Sequence, residues 1–339
     1  MTWTKIWKQA MTQSLPFGVN TPSRKTLGFS LSCPLSGHGL RIRLNNEDSR
    51  RAARIRGIAV ETGRTGRTLT VNGRESFSIP AGQSVCTDPL LFEFSVGDIL
   101  SLRFFPLTKA NDINYIESEA FAYRGDLLHE PKLPPCPKTA TEEKFQICKT
   151  LPYLDSIELD ADQPSQTIIA FGDSITAMSR WTKPLSRRLS ETYGSRYLLL
   201  NAGISGNCLV HRRTSFFDPF FGKRGLDRFD RDVLHEEHVS GLILSIGTND
   251  LSFIAEKDEN SKISTDVDDL ISATAEIIKK AKARGIRVTA TNVMPKYSPK
   301  EYTEKKDKKR LVYNDWLHPS VAGGLELAES FDLKKLTGE

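Results

Sequence analysis

The chain has 339 residues, of which 38% are hydrophobic and 26% charged, so it can bury a large core and is not an intrinsically disordered protein. Its length exceeds what one hydrophobic core usually supports, which predicts two domains. The formal net charge of +5 is spread over both halves without a basic stripe, and this argues against nucleic-acid binding.

The N-terminus and the cysteines bear on the cellular compartment. Residues 1–10 lack the apolar stretch of a signal peptide, and no apolar run is long enough to cross a bilayer. The five cysteines are scattered without a C-x-x-C pair, which fits reduced thiols better than disulfides or a zinc site. We therefore expect a cytoplasmic protein without membrane contact. The alternative is a secreted protein that has lost its leader.

Residues up to about 160 contain short segments in which apolar and polar residues alternate, the pattern of half-buried antiparallel strands. The clearest segments are Leu27–Ser32, Leu40–Leu44, Thr68–Val71, Phe77–Ile79 and Leu91–Ser95. Turn residues such as Asn72-Gly73 separate them. Many short strands with frequent turns favour a β-sandwich of the jelly-roll kind. We predict such an accessory domain over residues 1–160, with the proline-dense stretch 131–138 as an extended connector.

From about Thr167 the pattern changes to strands that alternate with helices. Four near-continuous apolar runs are typical of strands buried on both faces of a parallel sheet: 167–171, 197–200, 241–246 and 286–292. Asp266–Arg284 has a helical apolar stripe, and Gly285 supplies a stop. The predicted fold of residues 161–339 is an open α/β sheet, in which ligands bind at the carboxyl ends of the strands.

Polar clusters follow these strands and indicate a nucleophilic serine. Ser174 comes directly after the first strand, Gly206 lies in the loop after the second, and Asn249 follows the third. Asp315 and His318 are three residues apart near the C-terminus, so the carboxylate can orient the imidazole as a base for Ser174. A serine hydroxyl needs such a base because it is a poor nucleophile at neutral pH.

Three groups are candidates for the oxyanion hole. These are the backbone N–H groups of Ser174 and Gly206 and the side-chain amide of Asn249. Loss of one such donor typically costs about 3 kcal/mol of transition-state stabilisation, and we expect an effect of this size from Asn249→Ala.

These motifs, in this order and on these elements, resemble those of the SGNH hydrolases, also called the GDSL esterase/lipase family. The matching blocks are Gly172-Asp-Ser174, Gly206, Gly247-Thr-Asn249 and Asp315-x-x-His318. The resemblance implies a flavodoxin-like three-layer domain and a carboxylic ester hydrolase. Two N-terminal stretches, Leu40–Asn45 and Phe77–Gly82, are similar to the sandwich that precedes the catalytic domain in one subgroup.

One segment departs from the family pattern. Between Asn292 and Asp315 the family usually has a further helix and strand, whereas this chain has a short lysine-rich segment. We therefore expect either a smaller sheet or a missing stretch beneath the Asp315 and His318 loop.

Several of these residues have a structural alternative. Ser174 could merely cap the following helix, and Asp315 with His318 could be a surface capping pair. The aromatic side chains after the second strand, and Trp181, could line an acyl pocket or simply belong to the core; those of the loop are Phe216, Phe217, Phe220 and Phe221.

Metal and cofactor sites have little support in the sequence. Asp173 and Asp250 have no third ligand of suitable type, so we expect them to accept hydrogen bonds from loop backbone. His235-Glu-Glu-His238 has the wrong spacing for a zincin motif and indicates an exposed helix end. Leu226–Leu234 is interpreted as a salt-bridged amphipathic helix rather than a substrate clamp. We predict no metal and no cofactor.

The predicted function is hydrolysis of short acyl or acetyl esters on a small molecule or carbohydrate, through an acyl-enzyme on Ser174. The alternative is a carbohydrate-binding protein whose α/β domain is catalytically idle. The acyl length, the alcohol and the oligomeric state stay open.

Overall fold

The computed structural model of the chain divides into two compact units, Met1–Pro164 and Ser165–Glu339. The residues that it describes are 3–12, 23–63, 65–109, 120–130, 145–148, 151–211, 218–255, 266–292 and 319–339.

The first unit is built from two antiparallel sheets. One sheet has the order β1-β12-β3-β7, with β8 also paired to β3, and the other has the order β11-β10-β2-β9-β4-β5, with β6 paired to β4. The strands are β1 Trp3–Lys8, β2 Lys25–Ser32, β3 Gly37–Asn46, β4 Ala53–Thr62, β5 Thr65–Leu69, β6 Phe77–Ile79, β7 Gln83–Cys86, β8 Leu90–Phe94, β9 Ile99–Pro106, β10 Ala120–Arg124, β11 Phe145–Cys148 and β12 Leu154–Ala161.

Alternation explains why these segments form strands with one buried face. Along β3, Leu40, Ile42 and Leu44 are fully buried, whereas the intervening Arg41 and Arg43 are partly exposed. The Asn72-Gly73 turn has positive φ at both residues, 51° and 73°, as a two-residue turn of type I′ requires. The predicted antiparallel, β-rich N-terminal half is confirmed. The jelly-roll connectivity stays a prediction, and the connector 131–138 lies outside the described residues.

The second unit contains a parallel sheet with the strand order β14-β13-β15-β16. Its strands are β13 Gln166–Gly172, β14 Tyr197–Gly203, β15 Val239–Ser245 and β16 Arg287–Ala290. Its helices are α1 Ser174–Ala177, α2 Thr182–Tyr193, α3 Gly225–Phe229, α4 Thr248–Ala255, α5 Val267–Ala283, α6 Val321–Glu329 and α7 Leu333–Thr337. This is the predicted open α/β arrangement, and its order is that of flavodoxin-like sheets.

Local signals place the ends of these helices. Helix α5 begins after Asp266, whose carboxylate and that of Asp269 form a reciprocal capping box, and Gly285 follows its end with a φ of 72°. Trp181 is fully buried and stacks on Phe331 with ring centroids 5.4 Å apart. Trp181 is therefore a core residue and not a pocket wall.

Two further findings concern helices. Leu226–Leu234 is helical and salt-bridged, as predicted, although α3 ends at Phe229 and continues as a π-helical turn over Asp230–Leu234. Among the described residues, no helix combines the length and the apolar character needed to span a bilayer.

Candidate active site

The central strand β13 ends between its two neighbours, and this point defines the candidate site. Gly172, its last residue, pairs with Gly203 of β14 and with Ser245 of β15. The chain then passes through Asp173 into α1. In doubly wound sheets the strand order reverses at such a point, and the crevice beyond the carboxyl ends binds ligands.

Two glycines let α1 lie directly on the ends of the strands. A Cβ atom on Gly172 would be 2.1 Å from the Thr176 hydroxyl oxygen, and one on Gly203 would be 2.3 Å from the Ala177 nitrogen. Both distances are far below van der Waals contact, so neither position tolerates a side chain. The Asn201 side chain also links β14 to α1, because it donates a hydrogen bond to the Thr176 carbonyl at 2.7 Å.

Ser174 is the first residue of α1 and is 6% exposed. The cap of this helix is Asp173, whose Oδ1 accepts a hydrogen bond from the Ile175 N–H at 3.0 Å. The alternative in which Ser174 serves as the helix cap is therefore wrong. The neighbouring aspartate fills that role.

Gly206 lies in the loop after β14, three residues beyond Gly203 at the strand end. The Ile204 N–H donates to the Gly172 carbonyl at 3.1 Å, and the Asn207 N–H donates to the Ile204 carbonyl at 3.1 Å. These bonds hold the Gly206 turn against the end of β13. Gly206 has a φ of 75°, and a Cβ atom there would be 2.2 Å from the Phe221 ring.

Asn249 lies in the first turn of α4, beyond the end of β15. Its side-chain amide donates to the Asn207 carbonyl at 2.9 Å. Asp250 accepts from the backbone N–H groups of Leu209, Val210 and His211 at 2.7–2.9 Å. The prediction that Asp250 holds loop backbone is confirmed, whereas Asp173 caps helix α1 instead. The structure brings Ser174, Gly206 and Asn249 to one edge of the sheet.

Asp173 carries the most perturbed carboxyl group at this edge. Its complete burial raises the pKa to about 7, and the nearby Asp250 acts in the same direction, while the Ile175 N–H and Arg228 oppose the shift. Its Oδ2 has no hydrogen-bond partner within the described part of the chain. Burial therefore favours the neutral form of the Asp173 carboxyl group.

Asp315 and His318 lie outside the described residues, and so do Phe216 and Phe217. Pro319 follows His318 directly, and its carbonyl accepts a hydrogen bond from Arg180 at 2.5 Å. Ser320 then caps α6 by accepting from the Gly323 N–H at 3.1 Å. The segment that follows the predicted base is thus tied to the loop after α1.

The sequence analysis missed Arg228, which is 1% exposed beneath the site. Its guanidinium donates to the carbonyls of Gly172 and Ala202, at 2.8 and 2.9 Å, and to the Asn207 side chain at 3.0 Å. It also pairs with Asp232 at 2.7 Å. The sequence predicted a salt-bridged helix here but did not indicate that this ion pair is buried.

The remaining histidine and carboxylate side chains bear on whether the chain can hold a metal ion. His235 and His238 are exposed at the end of the π-helical turn, as predicted for an exposed helix end. In the ranges that the structure describes, no three His, Cys, Asp or Glu side chains form a group that could hold a metal ion.

Comparison with solved structures gives weak overall likenesses. An acetylxylan esterase from Geobacillus stearothermophilus is 18% identical over 51% of this chain and 95% of its own, with a TM-score of 0.36. The aryl esterase of M. smegmatis is 15% identical over 49% and 96%, with a TM-score of 0.36. A lipase/acylhydrolase from Enterococcus faecalis is 16% identical over 48% and 92%, with a TM-score of 0.34.

The strand order and the position of Ser174 define a doubly wound α/β unit with its candidate site at the point where the strand order reverses. Residues 170–328 match the model of the GDSL-like lipase/acylhydrolase family. The C-terminal part of the chain is therefore a GDSL-like hydrolase domain, as its motifs indicated. No curated protein matches the chain.

Proposed function

We propose that the chain is a serine ester hydrolase that cleaves short acyl or acetyl esters of a small molecule or carbohydrate. The observation that carries this proposal is the convergence of Ser174, Gly206 and Asn249 on one sheet edge, within a domain of a hydrolase family.

In the proposed reaction, the Ser174 hydroxyl attacks the ester carbonyl while His318 accepts its proton. The tetrahedral intermediate collapses to an acyl-enzyme, and His318 returns the proton to the leaving alcohol. Water, deprotonated by the same imidazole, then releases the carboxylic acid and restores Ser174. Asp315 holds the imidazole in the required tautomer.

The proposed oxyanion hole has three donors that come from three consecutive strand ends. Ser174 offers its backbone N–H at the first position of α1, and Gly206 offers its own in a turn held against Gly172. The Asn249 amide donates one hydrogen bond to the Asn207 carbonyl, and its second N–H can donate to the substrate. Donors fixed in this way stabilise the developing charge without reorganisation.

The position of Phe221 favours a substrate with a small acyl group. Its ring lies where a Gly206 side chain would be, and it contacts Phe220 edge-on with centroids 5.3 Å apart. An aromatic side chain beside an oxyanion donor occupies space that a longer acyl chain would need. This favours acetyl and other short acyl groups.

The test is hydrolysis of 4-nitrophenyl acetate by the wild type and by Ser174→Ala. We expect the variant to lose at least 1,000-fold in kcat with an unchanged melting temperature, because it removes the nucleophile and little packing.

The matched control is Ser330→Ala. Ser330 is an exposed residue at the end of α6 whose hydroxyl donates to the Leu327 carbonyl. It should retain wild-type kcat. Equal activity of wild type and Ser174→Ala would refute the proposal, and a stable wild type without activity would leave the carbohydrate-binding alternative.

A further inference from the structure

Arg228 is a buried cation that takes no direct part in the proposed reaction. It is 1% exposed, and its guanidinium lies 4.0 Å from the centroid of the Phe171 ring. Burying a charge is costly unless the charge is paired and hydrogen-bonded. Asp232, 3% exposed, supplies the opposite charge at 2.7 Å.

One set of Arg228 hydrogen bonds joins two strand ends. The two terminal nitrogens donate to the carbonyls of Gly172 and Ala202, at 2.8 and 2.9 Å. Gly172 belongs to the strand that leads to the nucleophile, and Ala202 to the strand that leads to Gly206. The planar, forked guanidinium suits several fixed acceptors, which a lysine ammonium cannot satisfy with the same geometry.

Another Arg228 hydrogen bond reaches the oxyanion side of the site through Asn207. The Nε group donates to the Asn207 side-chain oxygen at 3.0 Å, which orients that amide. The Asn207 Nδ2 group then donates to the carbonyls of Phe221 and Lys223, at 2.7 and 2.8 Å. Asn207 is 1% exposed, so its position is determined almost wholly by these contacts.

Asn207 in turn fixes the position of the Asn249 side chain. The Asn207 carbonyl accepts from the Asn249 amide at 2.9 Å. A continuous set of hydrogen bonds therefore runs from the buried guanidinium to the amide assigned to the oxyanion hole.

We propose that Arg228 is a positioning residue for the oxyanion hole, which acts by fixing Asn207 and thereby the side-chain amide of Asn249. This inference rests on the proposed function, since it assigns a role within that same site. Arg228 itself does not touch the substrate.

The experiment is a double-mutant cycle of Arg228→Lys and Asn249→Ala, with kcat and KM measured for 4-nitrophenyl acetate. We expect Arg228→Lys to lower kcat roughly 10- to 100-fold, because small misplacements of catalytic groups have effects of this size. KM should change less than about twofold, since the contact matters mainly in the transition state. In the Asn249→Ala background, the same change should lower kcat by less than about threefold.

Two controls separate positioning from general destabilisation. Leu336→Ala weakens the core beneath α7. It should lower the melting temperature about as much as Arg228→Lys does, but without the loss of kcat. Arg224→Lys alters a partly exposed ion pair with Asp227, one turn before Arg228, and should leave kcat within about twofold. A full Arg228→Lys effect in the Asn249→Ala background would overturn the proposal.

A readout without catalysis keeps this inference distinct from the proposed function. In NMR spectra, Arg228→Lys should shift the side-chain amide signals of Asn207 and Asn249, and Arg224→Lys should not. Unshifted signals in Arg228→Lys would overturn the inference. Absence of Ser174-dependent hydrolysis in the wild type would instead overturn the proposed function, and the amide signals would still show whether Arg228 orients Asn207 and Asn249.

Discussion

Gly206 is a residue at which backbone conformation and packing both exclude a side chain. Its φ of 75° is in the left-handed region, where an L-residue is strained by about 1–2 kcal/mol. The Phe221 ring also occupies the space of its missing Cβ, with the nearest carbon at 2.2 Å. A substitution must therefore move either the turn or the ring, and the proposed oxyanion donor belongs to that turn.

We predict that Gly206→Ala lowers kcat at least 100-fold, because the displaced N–H no longer meets the oxyanion. Melting temperature and kinetics with 4-nitrophenyl acetate check this. The double variant Gly206→Ala with Phe221→Ala should recover part of the stability, since it removes the ring that the new methyl meets.

Gly285→Ala is the matched control for Gly206→Ala. Gly285 has a similar φ of 72°, but nothing lies within 4 Å of its missing Cβ. This variant should show only the backbone cost, with wild-type kcat. Wild-type activity in Gly206→Ala would contradict the assigned donor role.

At the scale of elements, helix α6 sits against the loop that follows α1. A Cβ atom on Gly324 would be 2.3 Å from the Arg180 carbonyl oxygen, so the helix backbone contacts the loop directly. The Arg188 guanidinium donates to the Ala328 carbonyl further along the same helix. These contacts fix helix α6, which begins two residues after Pro319.

We predict that Gly324→Ala reduces both stability and activity. In an exposed helix interior a Gly→Ala change stabilises a protein by about 1 kcal/mol. A lower stability of Gly324→Ala would therefore show that the clash with the Arg180 carbonyl outweighs this gain. We expect a lower melting temperature and at least a 10-fold lower kcat. Val321→Ala, at a residue 71% exposed on the same helix, should change neither. A stabilised, fully active Gly324→Ala would contradict the packing argument.

Periodicity in the sequence predicted the strands and the helix whose pattern of burial is the same along their whole length. The four apolar runs became β13 to β16, and Asp266–Arg284 became α5 within one residue at each end. Such segments are predictable because burial on both faces, or on one helical stripe, leaves a direct pattern of apolar residues.

Leu226–Leu234 shows why other parts could not be predicted. An i,i+4 Arg and Asp pair has the same sequence pattern on a solvated helix and in a buried network, and only tertiary structure distinguishes the two. Arg228 was missed for this reason. Gly206 and Asn249 were found because their motifs lie at strand ends, although their roles stay predictions until tested.

At the scale of the whole molecule, one buried carboxyl group links the site to the stability of the second unit. Burial raises the pKa of Asp173 from 3.8 to about 7, so the folded state binds its proton more tightly than the unfolded state does. Its contribution to stability is fully present below pH 4 and is lost as the pH rises through 7. The size of this effect is on the order of 4 kcal/mol.

We predict that Asp173→Asn removes this pH dependence, because the amide keeps an acceptor for the Ile175 N–H but cannot ionise. The free energy of unfolding of the wild type, minus that of the variant, should fall by about 3 kcal/mol from pH 5 to pH 8. Denaturant titrations across this range measure it. Asp332→Asn, a surface cap of α7, is the control for replacing a capping carboxylate. A difference that stays constant with pH would show that Asp173 is already ionised in the folded protein, and the buried site would then have to hold a full negative charge beside Ser174.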